Sequence, residues 1–223
     1  MVQYDLSHLR QPEDQNVWGP VQDDEALLLY AVVRGMRLNR VLEVGGLAGY
    51  SATNFLMAMC RSGPDSVMYT VDVQNCVKQS DNHRVIVKDV RELDARDLDD
   101  APLDLVFYDC HCMVQMDAHV RLERLGLITD RTVIALHDTN LHYPPYGRPG
   151  VGVVVDAETG GRAHQIVERH MVNQFKSMGY DAFCLHTTPE RHTPDFPIRH
   201  GITLMQKFRH LAPPMYILGY DFK

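Results

Sequence analysis

Residues able to do chemistry recur at one kind of place in this sequence, the end of a short apolar run. Arg40–Val44 leads through Glu43 into Gly45-Gly46-Leu47-Ala48-Gly49 and then Tyr50-Ser51. Val67–Asp72 closes on an aspartate, Arg84–Lys88 is followed by Asp89, Leu103–Tyr108 by Asp109, and Thr132–His137 ends on His137 with Asp138 next. Glycines at 45, 46 and 49 remove the Cβ atoms that would keep backbone away from a ligand or forbid positive φ. A carboxylate at Glu43 can accept hydrogen bonds from an ammonium. One at Asp72 can accept from both hydroxyls of a ribose, although a plain surface aspartate would look the same. The glycines fall at offsets of zero, one and four, whereas the dinucleotide fingerprint wants zero, two and five, so the turn argues against NAD or FAD.

An adenosine ligand that carries an ammonium is S-adenosylmethionine. The string Glu43-Val44-Gly45-Gly46-Leu47-Ala48-Gly49-Tyr50-Ser51 resembles the first motif of class I S-adenosylmethionine-dependent methyltransferases. Within them it most resembles the catechol O-methyltransferase-like and antibiotic-tailoring O-methyltransferases, over roughly Val17 to Lys207. The resemblance implies a Rossmann-like α/β fold with a mainly parallel, seven-stranded sheet and a C-terminal β-hairpin. It implies cofactor binding by Glu43, Gly45, Gly46, Gly49, Tyr50, Ser51 and Asp72, with Asp89 beside the adenine; Asp89 equally suits the cap of a short helical stretch over Val90–Leu98. It also places Asp109, His137 and Asp138 where relatives hold a divalent cation against the acceptor. Those relatives have Asp-Asn where this sequence has His137-Asp138. Two carboxylates and an imidazole still form a metal set, for Mg²⁺ or, as imidazole favours, Mn²⁺, Fe²⁺ or Zn²⁺. The alternative is that Asp109 and His137 bind the cofactor or each other without metal. The family's catalytic lysine falls on Cys112, which leaves histidine as the substitute base: His111, His142 or an unmetallated His137.

The implied activity is methyl transfer to an oxygen of a small, secondary-metabolite-type acceptor, with N-methylation a close variant. A nucleotide-dependent oxidoreductase and a catalytically silent S-adenosylmethionine-binding protein are the competing readings. NAD binding would favour the first, and binding without turnover the second.

To position these residues the chain must alternate strands and helices. Beside the strands above, helical periodicity runs over Asp23–Arg37, opened by an acidic pair suited to a helix N-terminus, then Gly49–Arg61, Val114–Leu125 and Ala163–Met178. Asp181–His186 and Gly201–Phe208 read as the closing hairpin. The segment Asn140–Arg162, rich in proline and glycine, reads as an acceptor-binding lid or an ordinary insertion whose Val151–Val155 adds an edge strand. Met1–Asn16 is an arm over the cofactor or a frayed end. Trp18 either walls the acceptor pocket or staples that arm to the core. His210–Lys223 is too apolar for a solvated tail and packs on its own domain or on a second subunit, which would make a homo-oligomer.

The 223 residues, 45% of them hydrophobic, suffice for one such domain. A net charge of −7 with scattered lysines and arginines argues against nucleic acid as partner and for a small molecule. No apolar stretch nears the ~20 residues that span a bilayer, and no N-terminal run has the pattern of a secretion signal; the expectation is a cytoplasmic protein. Five cysteines without framework spacing are expected to be reduced. Cys60, Cys76 and Cys184 read as small buried hydrophobes. Cys110-His111-Cys112 is spaced too tightly for a structural zinc site.

Overall fold

The computed structural model describes residues 21, 23–60, 62–74, 79–110, 112–139, 154–155, 162–163, 167–185 and 201–207. Helix α1 (Asp23–Met36) buries Ala26, Leu29 and Val33, a helical stripe, and stops where Arg37 turns left-handed at φ 55°. It is followed by β1 (Arg40–Val44), α2 (Tyr50–Met59), β2 (Val67–Asp72), β3 (His83–Val87), two 3-10 turns at Val90–Glu92 and Arg96–Leu98, and β4 (Leu105–Tyr108). Then come α3 (Val114–Arg124), β5 (Val133–Leu136), β6 (Val154–Val155), β7 (Arg162–Ala163), α4 (Val167–Ser177), β8 (Tyr180–Leu185) and β9 (Ile202–Lys207).

Seven strands form one sheet in the order β3-β2-β1-β4-β5-β9-β8. β1 pairs in parallel with β2 and β4, β2 with β3, and β4 with β5, whereas β9 runs antiparallel to β5 and forms a hairpin with β8. This is the Rossmann-like architecture with a C-terminal hairpin that the sequence predicts. Strands β4 and β5 are buried along their whole length, which is why they read as unbroken apolar runs. Leu42, Val44, Tyr108 and Leu136 pack on one face with residues of α3 and α4. Val41, Leu105, Phe107 and Ala135 pack on the other with α1 and α2. The order reverses between β1 and β4, and there the open end of the sheet lies between two outward-running helices.

Several expectations need correction. The fourth helix begins at Val167, not Ala163, because Arg162–Ala163 pairs with Val154–Val155 in a separate two-stranded ribbon. That ribbon is not an added edge of the main sheet. Cys60 and Cys184 are exposed rather than buried; Cys76 lies outside the described residues. Strand β4 starts two residues after Leu103, whose N–H is taken by the Leu127 carbonyl, and β5 starts after Thr132, whose N–H goes to Thr129. The rest of Asn140–Arg162, the N-terminal arm with Trp18, and the C-terminal tail are likewise outside the described residues. No helix among the described residues is long and apolar enough to cross a membrane.

Candidate active site

The glycine turn is built by close approach. Gly45 adopts φ 91°, and a Cβ placed on it would stand 2.8 Å from the Asp109 carbonyl oxygen and 3.1 Å from Cys110 Cβ. Glycine is therefore required at 45 by the neighbouring strand end itself. The Gly45 N–H donates to Val71, and Gly49, at φ 85°, closes a turn onto the Gly46 carbonyl and starts α2 without a side-chain cap. The Asp72 carboxylate holds the turn from the side: Oδ2 accepts from the N–H groups of Gly46 (2.9 Å) and Leu47 (3.4 Å), and Oδ1 from that of Gln74 (3.1 Å).

Glu43 sits beneath the turn, fully buried. Its carboxylate accepts from the Ser51 hydroxyl at the start of α2 and, at 2.8 Å, from Thr70 on β2, whose oxygen also meets His83 Nε2 at 2.7 Å. Burial pushes the Glu43 pKa up to about 7 against the lowering effect of the two hydroxyls. Tyr50 is also buried, in the core beside α1 and α2. Asp89 caps the 3-10 turn at Val90–Glu92 by accepting the Arg91 N–H at 2.9 Å, and the Arg91 guanidinium and N–H hold its pKa down at about 2. The capping alternative is thus realised at this residue.

Beside the turn, β4 and β5 bring together Asp109, His137 and Asp138, each offering a donor atom and all within 4.8 Å of one another. His137 is 1% exposed and lies between carboxylates: Nδ1 is 2.8 Å from Asp109 Oδ1, and Nε2 is 3.0 Å from Glu25 Oε2 and 3.6 Å from Asp138 Oδ1. Burial alone would lower its pKa, but Asp109, Asp138 and Glu25 raise it well above the ordinary value. Asp138 is held in the left-handed region at φ 57°, an uncommon conformation for a residue with a side chain and one concentrated at functional sites.

Glu25 was not among the residues singled out by sequence. Its Oε1 accepts the Gly201 N–H at 2.6 Å, so one carboxylate ties α1 to both His137 and the start of β9. In sequence it is one more acid in the first turn of a helix, where acids are common for the helix dipole alone. His111 and His142, the histidines read as bases, lie outside the described residues.

No protein-family model and no curated protein matches this sequence. Solved structures do resemble it in fold. A Podospora anserina methyltransferase bound to S-adenosylhomocysteine has a TM-score of 0.56 at 15% identity, covering 92% of this chain and 87% of its own. The Bacillus cereus O-methyltransferase in complex with S-adenosylhomocysteine has 0.53 at 14%, covering 87% and 84%. The O-methyltransferase TomG from Streptomyces achromogenes, involved in tomaymycin synthesis and solved with S-adenosylmethionine, has 0.51 at 16%, covering 85% and 82%. At these identities the likeness is one of fold.

Proposed function

We propose that this chain is an S-adenosylmethionine-dependent methyltransferase that acts on a hydroxyl of a small acceptor. The observation that carries the reading is the packing of Gly45 on Asp109, which sets the glycine turn directly against the Asp109–His137–Asp138 group. The structures of like fold named above hold S-adenosylmethionine or its demethylated product, and that supports the choice of cofactor.

In this reading the main chain of the turn and the start of α2 line the cofactor site, and the Asp72 carboxylate, which already accepts from Gly46, Leu47 and Gln74, accepts from the ribose hydroxyls through its remaining lone pairs. Glu43 fastens the turn to α2 and β2 through Ser51 and Thr70 from beneath. Asp89, while it caps the Val90–Glu92 turn, would border the adenine. Methyl transfer is an in-line displacement at the sulfonium carbon, so the protein's task is alignment and removal of the acceptor's proton. The proton goes to His111 or His142.

Asp109, His137 and Asp138 fit a divalent cation by donor type and spacing, and they would hold it. Such an ion supplies a positive charge that orients the acceptor oxygen and lowers its pKa. A metal-free variant of the reading has its own observation: both ring nitrogens of His137 already meet carboxylates, Asp109 and Glu25. There, His137 would be the fixed cation beside the acceptor.

Calorimetric titration with S-adenosylmethionine, S-adenosylhomocysteine and NAD tests the proposal. The expected result is micromolar-range binding of the first two and none of NAD. NAD binding without S-adenosylmethionine binding would replace it with the oxidoreductase reading.

A further inference from the structure

Directly after Asp109, two thiols stand together. Cys110 Sγ and Cys112 Sγ are 3.2 Å apart, and both residues are half-buried. One fully buried side chain holds the main chain of both cysteines: Gln115 Oε1 accepts the Cys110 N–H at 3.3 Å, while Gln115 Nε2 donates to the Cys112 carbonyl at 3.1 Å. The Gln115 N–H reaches the same carbonyl at 3.3 Å. A side-chain amide bonded to both residues in this way fixes their separation, and their sulfurs need to close only from 3.2 Å to the ~2.05 Å of a disulfide. Neither of the other described cysteines has such a neighbour: Cys60 Sγ donates to the Met57 carbonyl, and Cys184 Sγ meets Arg169 and Thr203.

We propose that Cys110 and Cys112 are a reversible redox modification site, a dithiol that closes to a disulfide by exchange with a low-molecular-weight disulfide such as oxidised glutathione. One cysteine sulfur attacks a glutathione sulfur; the glutathione S–S bond breaks, and one glutathione leaves as thiol. The second cysteine sulfur attacks the protein-side sulfur of the mixed disulfide, forming the Cys110–Cys112 bond and releasing the second glutathione. The two thiol protons end on the two released glutathiones, so the protein dithiol loses two electrons and one glutathione disulfide gains them. The second attack needs almost no search, because Gln115 already holds the two residues together.

The site is coupled to the glycine turn by contact. Cys110 Cβ lies 3.1 Å from the place a Cβ on Gly45 would occupy, and Cys110 shares a peptide bond with Asp109, whose carbonyl crowds the same place at 2.8 Å. Drawing the sulfurs together displaces the surface on which Gly45 rests. None of this depends on the methyl-transfer reading.

The test uses the full chain and a Cys60→Ser/Cys76→Ser/Cys184→Ser variant that retains only the pair. Each is incubated with oxidised glutathione and read by intact mass, peptide mapping and amide hydrogen exchange. Expected are a loss of about 2 Da that maps to residues 110 and 112, its reversal by dithiothreitol, and its absence in Cys110→Ser and Cys112→Ser. Hydrogen exchange over residues 45–49 is expected to change on closure. A persistent glutathione adduct without ring closure, a bridge to another cysteine, or no change of mass would overturn the site. Closure with unaltered exchange at 45–49 would overturn its link to the turn.

Discussion

Asp72 is engaged with the main chain of the glycine turn through Gly46, Leu47 and Gln74. A cofactor ribose would meet a carboxylate already fixed in direction, which is a cheaper arrangement than one that must be ordered on binding. Asp72→Ala should therefore weaken S-adenosylmethionine binding by about 1.5–3 kcal/mol, the usual worth of hydrogen bonds to a charged group. Calorimetry on a variant with native circular dichroism checks this; an unchanged dissociation constant would remove Asp72 from the ribose. Gly45 gives a prediction of the opposite kind, about stability. In Gly45→Ala the methyl group meets the Asp109 carbonyl oxygen at 2.8 Å, and φ is 91°. Urea denaturation should show a loss of about 2–3 kcal/mol from strain and displaced backbone together. At this scale the sequence was legible where a side chain's place follows from the apolar strand before it, as at Asp72, Asp109, His137 and Asp138. It was not legible where the role depends on a distant partner. Glu25 meets His137 across 112 residues of chain. Gln115, whose partners Cys110 and Cys112 are near in sequence, was hidden for another reason: it looks like any polar residue of a helical first turn.

The interface of α3, β4 and β8 shows how an element is fastened from within. His119 on α3 is fully buried, with Nδ1 3.2 Å from the Tyr108 hydroxyl and Nε2 3.0 Å from the Tyr180 hydroxyl. The Tyr180 hydroxyl donates in turn to Glu123 at 2.6 Å, and Lys207 Nζ at the end of β9 donates to the same oxygen at 2.8 Å. Burial lowers the His119 pKa from 6.5 to about 4, against a partial rise from Glu123. A histidine with a depressed pKa favours the neutral form in the fold. Its contribution is then full above pH 6.5 and declines as pH falls toward about 4. The decline amounts to about 3 kcal/mol for the shift in question. Denaturant titrations between pH 7 and pH 4 should show it in the wild type and show a smaller decline in His119→Gln. Parallel curves for the two proteins would assign the acid sensitivity to other groups. The central strands were readable because burial on both faces leaves an unbroken apolar run. The start of α4 was not, since Ala163 continues the helical apolar pattern and is claimed instead by pairing with Val154.

For the whole molecule, the fold decides where chemistry can occur. Parallel strands with helices on both faces direct β1, β2, β4 and β5 toward one end of the sheet, and the reversal of order at β1 and β4 opens that end. The four acidic or imidazole side chains gathered there come from α1, the end of β4 and the end of β5: Glu25, Asp109, His137 and Asp138. Their combined carboxylate charge requires a cation, and either a divalent ion or the imidazolium of His137 supplies one. The metal-assisted reading makes the sharper prediction. Chelation of the purified protein should abolish most turnover, and Mn²⁺ should restore it at least as well as Mg²⁺, because imidazole is a better ligand for the former. His137→Ala and Asp138→Ala should each lower turnover about 100-fold or more while leaving the S-adenosylmethionine dissociation constant within about threefold, since the turn is held by hydrogen bonds to Val71, Gly46 and Asp72. Turnover measured with and without added ions, alongside elemental analysis of the same samples, separates the two cations. Full turnover in protein free of metal would give the role to His137 as the fixed positive charge, and the Asp138 variant would then be expected to lose less than the His137 variant.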